Sequence, residues 1–171
     1  MTKRVLLTIC SIFVLAAFAV SQKTNVDWDH NITDFSKYRT YTWVKPLRPT
    51  SNPLMDQRIV AAVDAQLAAK GLQKVENDGD LLVTYNAGVK RETSAVATGM
   101  GGWRMGGGMG RIDPVTESRG TLVVDISQGQ NKALIWRGTA TDTLSDSSEK
   151  NAKKIEKAVE KIFKNYPPKK K

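Results

Sequence analysis

Residues 23–29 alternate in character, with Val26 and Trp28 on one face and Asp27 and Asp29 on the other. That period of two predicts a short strand. Residues 38–44 are rich in Tyr, Thr and Trp and predict a second strand. Pro46 and Pro49 end it. Asn52-Pro53 then opens a helix, because Asn caps and Pro is tolerated at the first helical position. Met55, Ile59, Ala62, Val63 and Leu67 recur at helical spacing, and Gly71 stops the helix. Residues 72–76 predict a short strand, and Asn77-Asp78-Gly79 a turn.

Residues 80–92 are strongly strand-like, with Leu81, Val83, Tyr85, Ala87 and Val89 on one face. Leu82 and Thr84 extend apolar character to the other face, so burial of the first half on both sides is expected. Residues 116–127 and 132–144 predict two more strands, joined through Gly129-Gln130-Asn131 as an antiparallel hairpin. The last helix is expected over 146–165, with Asp146 and Glu149 at capping-box spacing. Ile155, Val159, Ile162, Phe163 and Tyr166 form its apolar stripe. Pro167-Pro168 forbids continuation. The expected fold class is α+β: a mostly antiparallel sheet with two helices packed on one face.

One segment breaks the pattern. Seven of the 13 glycines and three of the five methionines fall within residues 99–110, with Trp103 and Arg104 among them. Glycine loses the most backbone entropy on folding, so a long loop between two strands is expected over 99–111. Trp103, Arg104, Met105 and Met109 could give it an adaptable partner-binding tip. Met105 and Met109 are also soft donors that could favour Cu(I), a weak site without nearby His or Cys. No phosphate loop is present, since Gly110 is followed by Arg111-Ile112. No cofactor or metal is expected.

The start of the chain reads as an address. Lys3 and Arg4 precede a 16-residue uncharged run, Val5 to Val20, and Ala19-Val20-Ser21 offers a cleavage site. Residues 1–21 are therefore expected to be a signal peptide. An uncleaved N-terminal anchor is the alternative, although a span usually needs about 20 apolar residues. Cys10 follows Leu7-Thr8-Ile9, a poor lipobox. The expected locale is periplasmic or secreted. Residues 22–168 then form a single domain and 169–171 a basic tail.

Composition narrows the chemistry. The chain has 171 residues, 40% hydrophobic and 25% charged, which excludes wholesale disorder. One Cys excludes an internal disulfide framework, and one His excludes a multi-histidine cage. The net charge of +9 first suggests a nucleic-acid partner. Residues 149–171 hold nine lysines against three glutamates, whereas residues 22–148 are nearly neutral. The charge is thus a local flank, and nucleic acid is not an expected partner. Lys150, Lys153, Lys157, Lys161 and Lys164 line the outer side of the last helix. Such a stripe usually supports the helix through four-apart pairs such as Glu149–Lys153 and Glu160–Lys164. The alternative is peripheral contact with an anionic membrane surface.

Catalytic signals are sparse. His30 sits at a strand end beside Asp29, and adjacent strand residues point to opposite faces. An exposed histidine is expected there. Asp27, Asp29, Asp78, Asp80 and Asp125 are scattered, and a carboxylate hydrolase would need two of them to converge in a cleft. Trp136-Arg137-Gly138 offers an aromatic and a guanidinium as partner contacts. The structural alternative is a buried Trp, an exposed Arg in an ion pair and a bulge at Gly138.

Several pieces in order are familiar: Val26-Asp27-Trp28-Asp29, Phe35 to Trp43, the helix ending Leu67-Ala68-Ala69-Lys70-Gly71, Asp80-Leu81-Leu82-Val83, Gly120 to Asp125, Ile135-Trp136-Arg137-Gly138 and Ile162 to Pro168. Together they resemble domain-of-unknown-function family 4136, a family of bacterial envelope proteins, many of them lipoproteins. The resemblance implies an α+β envelope domain with no established activity and no catalytic residues to carry over. An exported domain that binds or scaffolds an unknown envelope component is the function most consistent with this reading.

Overall fold

The computed structural model describes residues 22–32, 34–46, 49–98 and 111–168. Residues 1–21, residues 169–171, and Trp103, Arg104, Met105 and Met109 lie outside the described residues. The elements run β1 (Lys23–Trp28), β2 (Thr40–Trp43), α1 (Pro53–Ala69), β3 (Gln73–Lys74), β4 (Leu81–Thr98), β5 (Arg111–Gln128), β6 (Leu134–Thr143) and α2 (Ser148–Phe163). They build an α+β fold with one six-stranded sheet in the order β1-β6-β5-β4-β2-β3.

The sheet is mostly antiparallel but mixed. β1, β6, β5 and β4 pair antiparallel in turn. β2 lies parallel to both β3 and β4. Parallel neighbours need a long crossover, and α1 supplies it between β2 and β3. The two helices pack on each other, with α2 also against β6 and β1.

The helix ends follow local chemistry. Asn52 caps α1 by accepting from the Leu54 N–H at 3.0 Å, and Pro53 occupies the first turn. Gly71 takes φ +83° just past the end of α1, where a Cβ would be strained. α2 begins one residue later than its capping-box spacing suggests. Ser147, not Asp146, is the N-cap, and its hydroxyl accepts from the Lys150 N–H. A Ser145 backbone N–H bond to Asn151 Oδ1 fixes the approach.

The predicted core positions are buried on the helix-covered face. Ile59, Val63 and Leu67 of α1 and Val159, Ile162 and Phe163 of α2 meet Leu81, Val83, Tyr85, Val124 and Ile126. Burying each large side chain contributes roughly 1.5–3 kcal/mol. One carboxylate, Asp64, ties α1 to the strands. Asp64 accepts from the Tyr41 hydroxyl and the Trp43 indole N–H at 2.7 Å each, and pairs with Lys74 at 2.9 Å. Burial and the Asp64 bond push the Tyr41 phenol up.

Val89 departs from expectation, being 65% exposed although it shares a face with Tyr85. The helices end before reaching it. β4 and β5 are each longer than predicted and continue as a two-stranded ribbon beyond the last contact with β6. Seven pairs, from Glu92↔Glu117 to Thr98↔Arg111, extend it roughly 20 Å. Among the described residues the opposite face of the sheet carries no helix. Leu82 and Thr84 there are half-buried, not enclosed.

Asp80 supplies a pH-dependent tie. Its carboxylate accepts from the Arg39 and Thr40 N–H groups at 2.8 and 3.0 Å. These bonds hold its carboxyl below the usual carboxylate range. A folded value below the unfolded one, about 3.9, stabilises the fold above that pH and stops doing so as pH falls through the folded value. Asp80→Ala should therefore lower the urea midpoint at pH 7. Its deficit relative to the parent should shrink as the pH is lowered through the acid range where Asp80 takes up its proton.

Candidate functional site

A cleft opens on the helix-covered side, at the end where both helices begin. Its volume is about 370 Å³. Met55 and Ile59 of α1 form one wall, and Ile155 and Ala158 of α2 the other. Ala87, Leu122 and Ala140 lie on its floor, and Leu144 and Val89 at its lip. At the opposite end of the same helix–sheet layer, aromatic rings fill the space. Trp136 lies 4.9 Å from Phe163 and 5.3 Å from Tyr166, and Tyr166 lies 6.0 Å from Phe35. The cleft exists because Ala87, Gly120, Ala140 and Ala158 stand where larger side chains would close it. At Gly120 a Cβ would sit 2.7 Å from Leu144 Cδ2.

The polar groups around the mouth are bonded to one another. Gln22 Nε2 donates to the Lys154 carbonyl at 3.0 Å and to Asp142 Oδ2 at 3.3 Å. Lys154 Nζ donates to Asp142 Oδ1 at 3.4 Å and to the Thr143 carbonyl. Asn151 Nδ2 donates to the Ser145 carbonyl at 2.6 Å. Thr50 Oγ1 donates to the Asn52 carbonyl at 2.7 Å, and the Thr50 N–H donates to Asp56. The Lys154–Asp142 pair leaves the rim with no net charge from these two groups.

A second depression, about 460 Å³, is polar and lies at the β2–β4–β5 end. Asp78 and Asp80 both line it. The Arg39 and Thr40 N–H groups occupy Asp80, while Gln128 Nε2 donates to the Tyr38 hydroxyl at 2.6 Å.

The remaining candidates are placed as follows. Trp136 is 1% exposed and Arg137 is exposed, on opposite faces of β6. Arg137 meets Asp125 in a bidentate pair, Nε to Oδ1 at 2.6 Å and a terminal nitrogen to Oδ2 at 2.7 Å. The Asp125 bond raises the guanidinium's proton affinity, and nearby Asp27 adds to it. Asp27 stands opposite Arg137 on β1 and Asp125 opposite it on β5, so the guanidinium's strand separates the two carboxylates. The bulge lies between Ile126 and Ser127, which face Trp136 and Leu134, so Ile135 is the extra residue and not Gly138. Gly138 instead lets α2 approach β6: a Cβ there would collide with Ile162 Cγ2.

His30 is exposed and its ring lies 4.7 Å from that of Trp28. Asp29 turns to Asn31, accepting from its N–H and Nδ2 at 2.9 Å each. Lys150, Lys153, Lys157, Lys161 and Lys164 are all exposed. Lys153 pairs with Glu149 at 2.8 Å. Among the described residues Glu160 and Lys164 do not pair, and Lys164 stands past the last helical residue. Also among the described residues, no three His, Cys, Asp or Glu side chains gather as a metal site, and no helix is long and apolar enough to cross a membrane.

Sequence spacing did not reveal the cleft. Its signal is the run of small residues at apolar positions, and only the register brings Ala87, Leu122 and Ala140 side by side.

Fold and cleft together define a mixed-sheet α+β domain with two helices covering one face. The chain belongs to the family described as Domain of unknown function (DUF4136), which matches residues 24–168. No curated protein matches it. A PDZ domain protein from Parabacteroides distasonis shares the fold at TM-score 0.58 and 17% identity over 88% of this chain. The present chain spans only 36% of that protein's length. The PelC dodecamer from Paraburkholderia phytofirmans matches over 84% of this chain and 99% of its own, at 13% identity and TM-score 0.47. A minor lipoprotein from Acinetobacter baumannii matches over 75% of this chain and 92% of its own, at 12% identity and TM-score 0.38.

Proposed function

We propose that this chain is an exported domain of the bacterial envelope, periplasmic or secreted after removal of residues 1–21, that binds or scaffolds another envelope component without catalysis. The observation that carries the reading is the cleft. It is an apolar recess whose rim polar groups are bonded to each other, suited to burying a ligand and offering little to a reacting one. Family membership and the N-terminal address support the locale. A photoreactive residue placed at Val89, at the lip, should give one specific adduct in native envelopes. The fractionated protein should have the intact mass of a chain beginning at Gln22. Turnover of an envelope substrate that depends on His30, or on Asp27, Asp29, Asp78, Asp80 or Asp125, would overturn the non-catalytic reading.

A second contact is favoured by the ribbon. Its last pair, Thr98 and Arg111, brackets the Gly/Met-rich segment 99–110 in the sequence. Trp103, Arg104, Met105 and Met109 then serve as a partner-binding tip. Arg137 remains available as a further polar contact, with Trp136 behind it in the core. A third rests on the exposed lysines of α2. Lys150, Lys157 and Lys161 have no ion-pair partner among the described residues. Binding to vesicles rich in anionic lipid should fall on replacing Lys150, Lys153, Lys157, Lys161 and Lys164 by Gln. Unchanged binding would remove this contact.

A further inference from the structure

We infer that the cleft holds one aliphatic chain of a single-chain lipid, a fatty acid of about a dozen carbons. This rests on the cleft as the binding site and names its ligand class. Three observations on the cleft lead to it.

The first is the character of the walls. Met55, Ile59, Leu122, Leu144 and Ile155 are all aliphatic or thioether side chains, and among the described residues no aromatic ring lines the space. A planar ligand would find no ring to stack on, whereas a flexible chain can follow such a surface. The second is the state of the rim. Gln22, Asp142, Lys154 and Asn151 bond to each other or to nearby backbone. A ligand rich in polar groups would have to break those bonds, so burial of apolar surface is the main source of affinity. The third is size. The volume of about 370 Å³ lies within the usual range of ligand pockets, about 300–1,000 Å³. At roughly 30 Å³ for each methylene, close to the share of a water molecule, it takes about a dozen carbons.

The position of the mouth fits a lipid source. Gln22 stands at the rim, two residues after the apolar run Val5 to Val20 ends. While that run is attached and inserted in a membrane, the rim is tethered beside lipid. The acid head remains at the neutral rim and the chain enters between α1 and α2.

The test is titration of the purified exported protein with saturated fatty acids of 8 to 16 carbons, each kept below its micellar concentration, read by native mass spectrometry and calorimetry. One chain per protein is expected. Affinity should rise about fourfold per added methylene and level off near twelve carbons. Dodecanol should bind within about fivefold of dodecanoic acid, because no free charge at the rim reads the head. Ala87→Phe, which fills the floor, should abolish binding while thermal unfolding stays cooperative. Should that variant fail to fold, Ala140→Val and Met55→Trp fill the same space from the sheet and from α1. The inference is overturned by the absence of binding across the series. It is equally overturned by affinity indifferent to chain length, or by binding that survives in a folded, filled variant. Failure here alongside a specific Val89 adduct to a protein would leave the envelope-binding reading standing and assign the cleft to a polypeptide instead.

Discussion

Replacing Gly138 with alanine is expected to destabilise the domain by about 3 kcal/mol, the upper part of the usual range for overpacking a core. The reason is local and geometric. Gly138 faces α2 from β6, and a Cβ built there would overlap Ile162 Cγ2 and come 2.6 Å from Trp136 Cη2. Ile162 and Trp136 are both almost fully buried, so neither can swing aside into solvent. The helix must lift from the strand or one of the two side chains must leave its rotamer. At the size of this domain the thermal midpoint should fall by close to 10 °C. The cause can be isolated with Ile162→Ala, which removes the opposing methyl. That substitution alone should cost about 2–5 kcal/mol through the cavity it leaves. Combined with Gly138→Ala, the loss should be clearly less than the sum, since the added methyl then enters the vacated space. Simple additivity in this double-mutant cycle would show that the collision is not what makes glycine necessary at 138.

Gly138 also shows where sequence reading reached its limit. Glycine in a strand marks either a close approach or a bulge, and the sequence suggested the bulge. Choosing between them requires knowing that Val124 stands opposite Gly138 and that the register shift falls earlier, at Ile135. Helix faces were legible because a helix carries its own period. Ile59, Val63 and Leu67, and Val159, Ile162 and Phe163, are buried as the spacing predicts. The ribbon was not legible. From Glu92 outward no alternating apolar set marks it in the sequence. The cleft was illegible for a related reason. It is made by small side chains from four separate elements, and nothing local marks alanine as the floor of a recess. Asp125 and Arg137 were each noticed, but their pairing depends on β5 and β6 meeting in one particular register.

Trp136 should tolerate phenylalanine far better than alanine. Trp136→Ala is expected to cost about 3–5 kcal/mol, as truncations of a large buried aromatic do. The indole is 1% exposed and packs against Phe163 and Tyr166, so the void would open in the centre of the aromatic cluster. Trp136→Phe keeps a ring against both neighbours. It also removes the indole N–H, which is buried and has no hydrogen-bond partner among the described residues. A buried unpaired donor costs about 1–3 kcal/mol of desolvation, so its removal offsets part of the lost packing. The net cost of Trp136→Phe should therefore stay below about 1.5 kcal/mol. Urea unfolding of the two variants reads the difference directly. Equal losses would mean that the second ring of the indole, and not its unpaired N–H, decides the energetics here. The arrangement is informative because Arg137, the next residue, pairs bidentately with Asp125 across the strand while half of its side chain stays exposed. One face of β6 at this point is held by ring packing alone, and the other by a bidentate ion pair. Only the first should respond to the size of the side chain at 136.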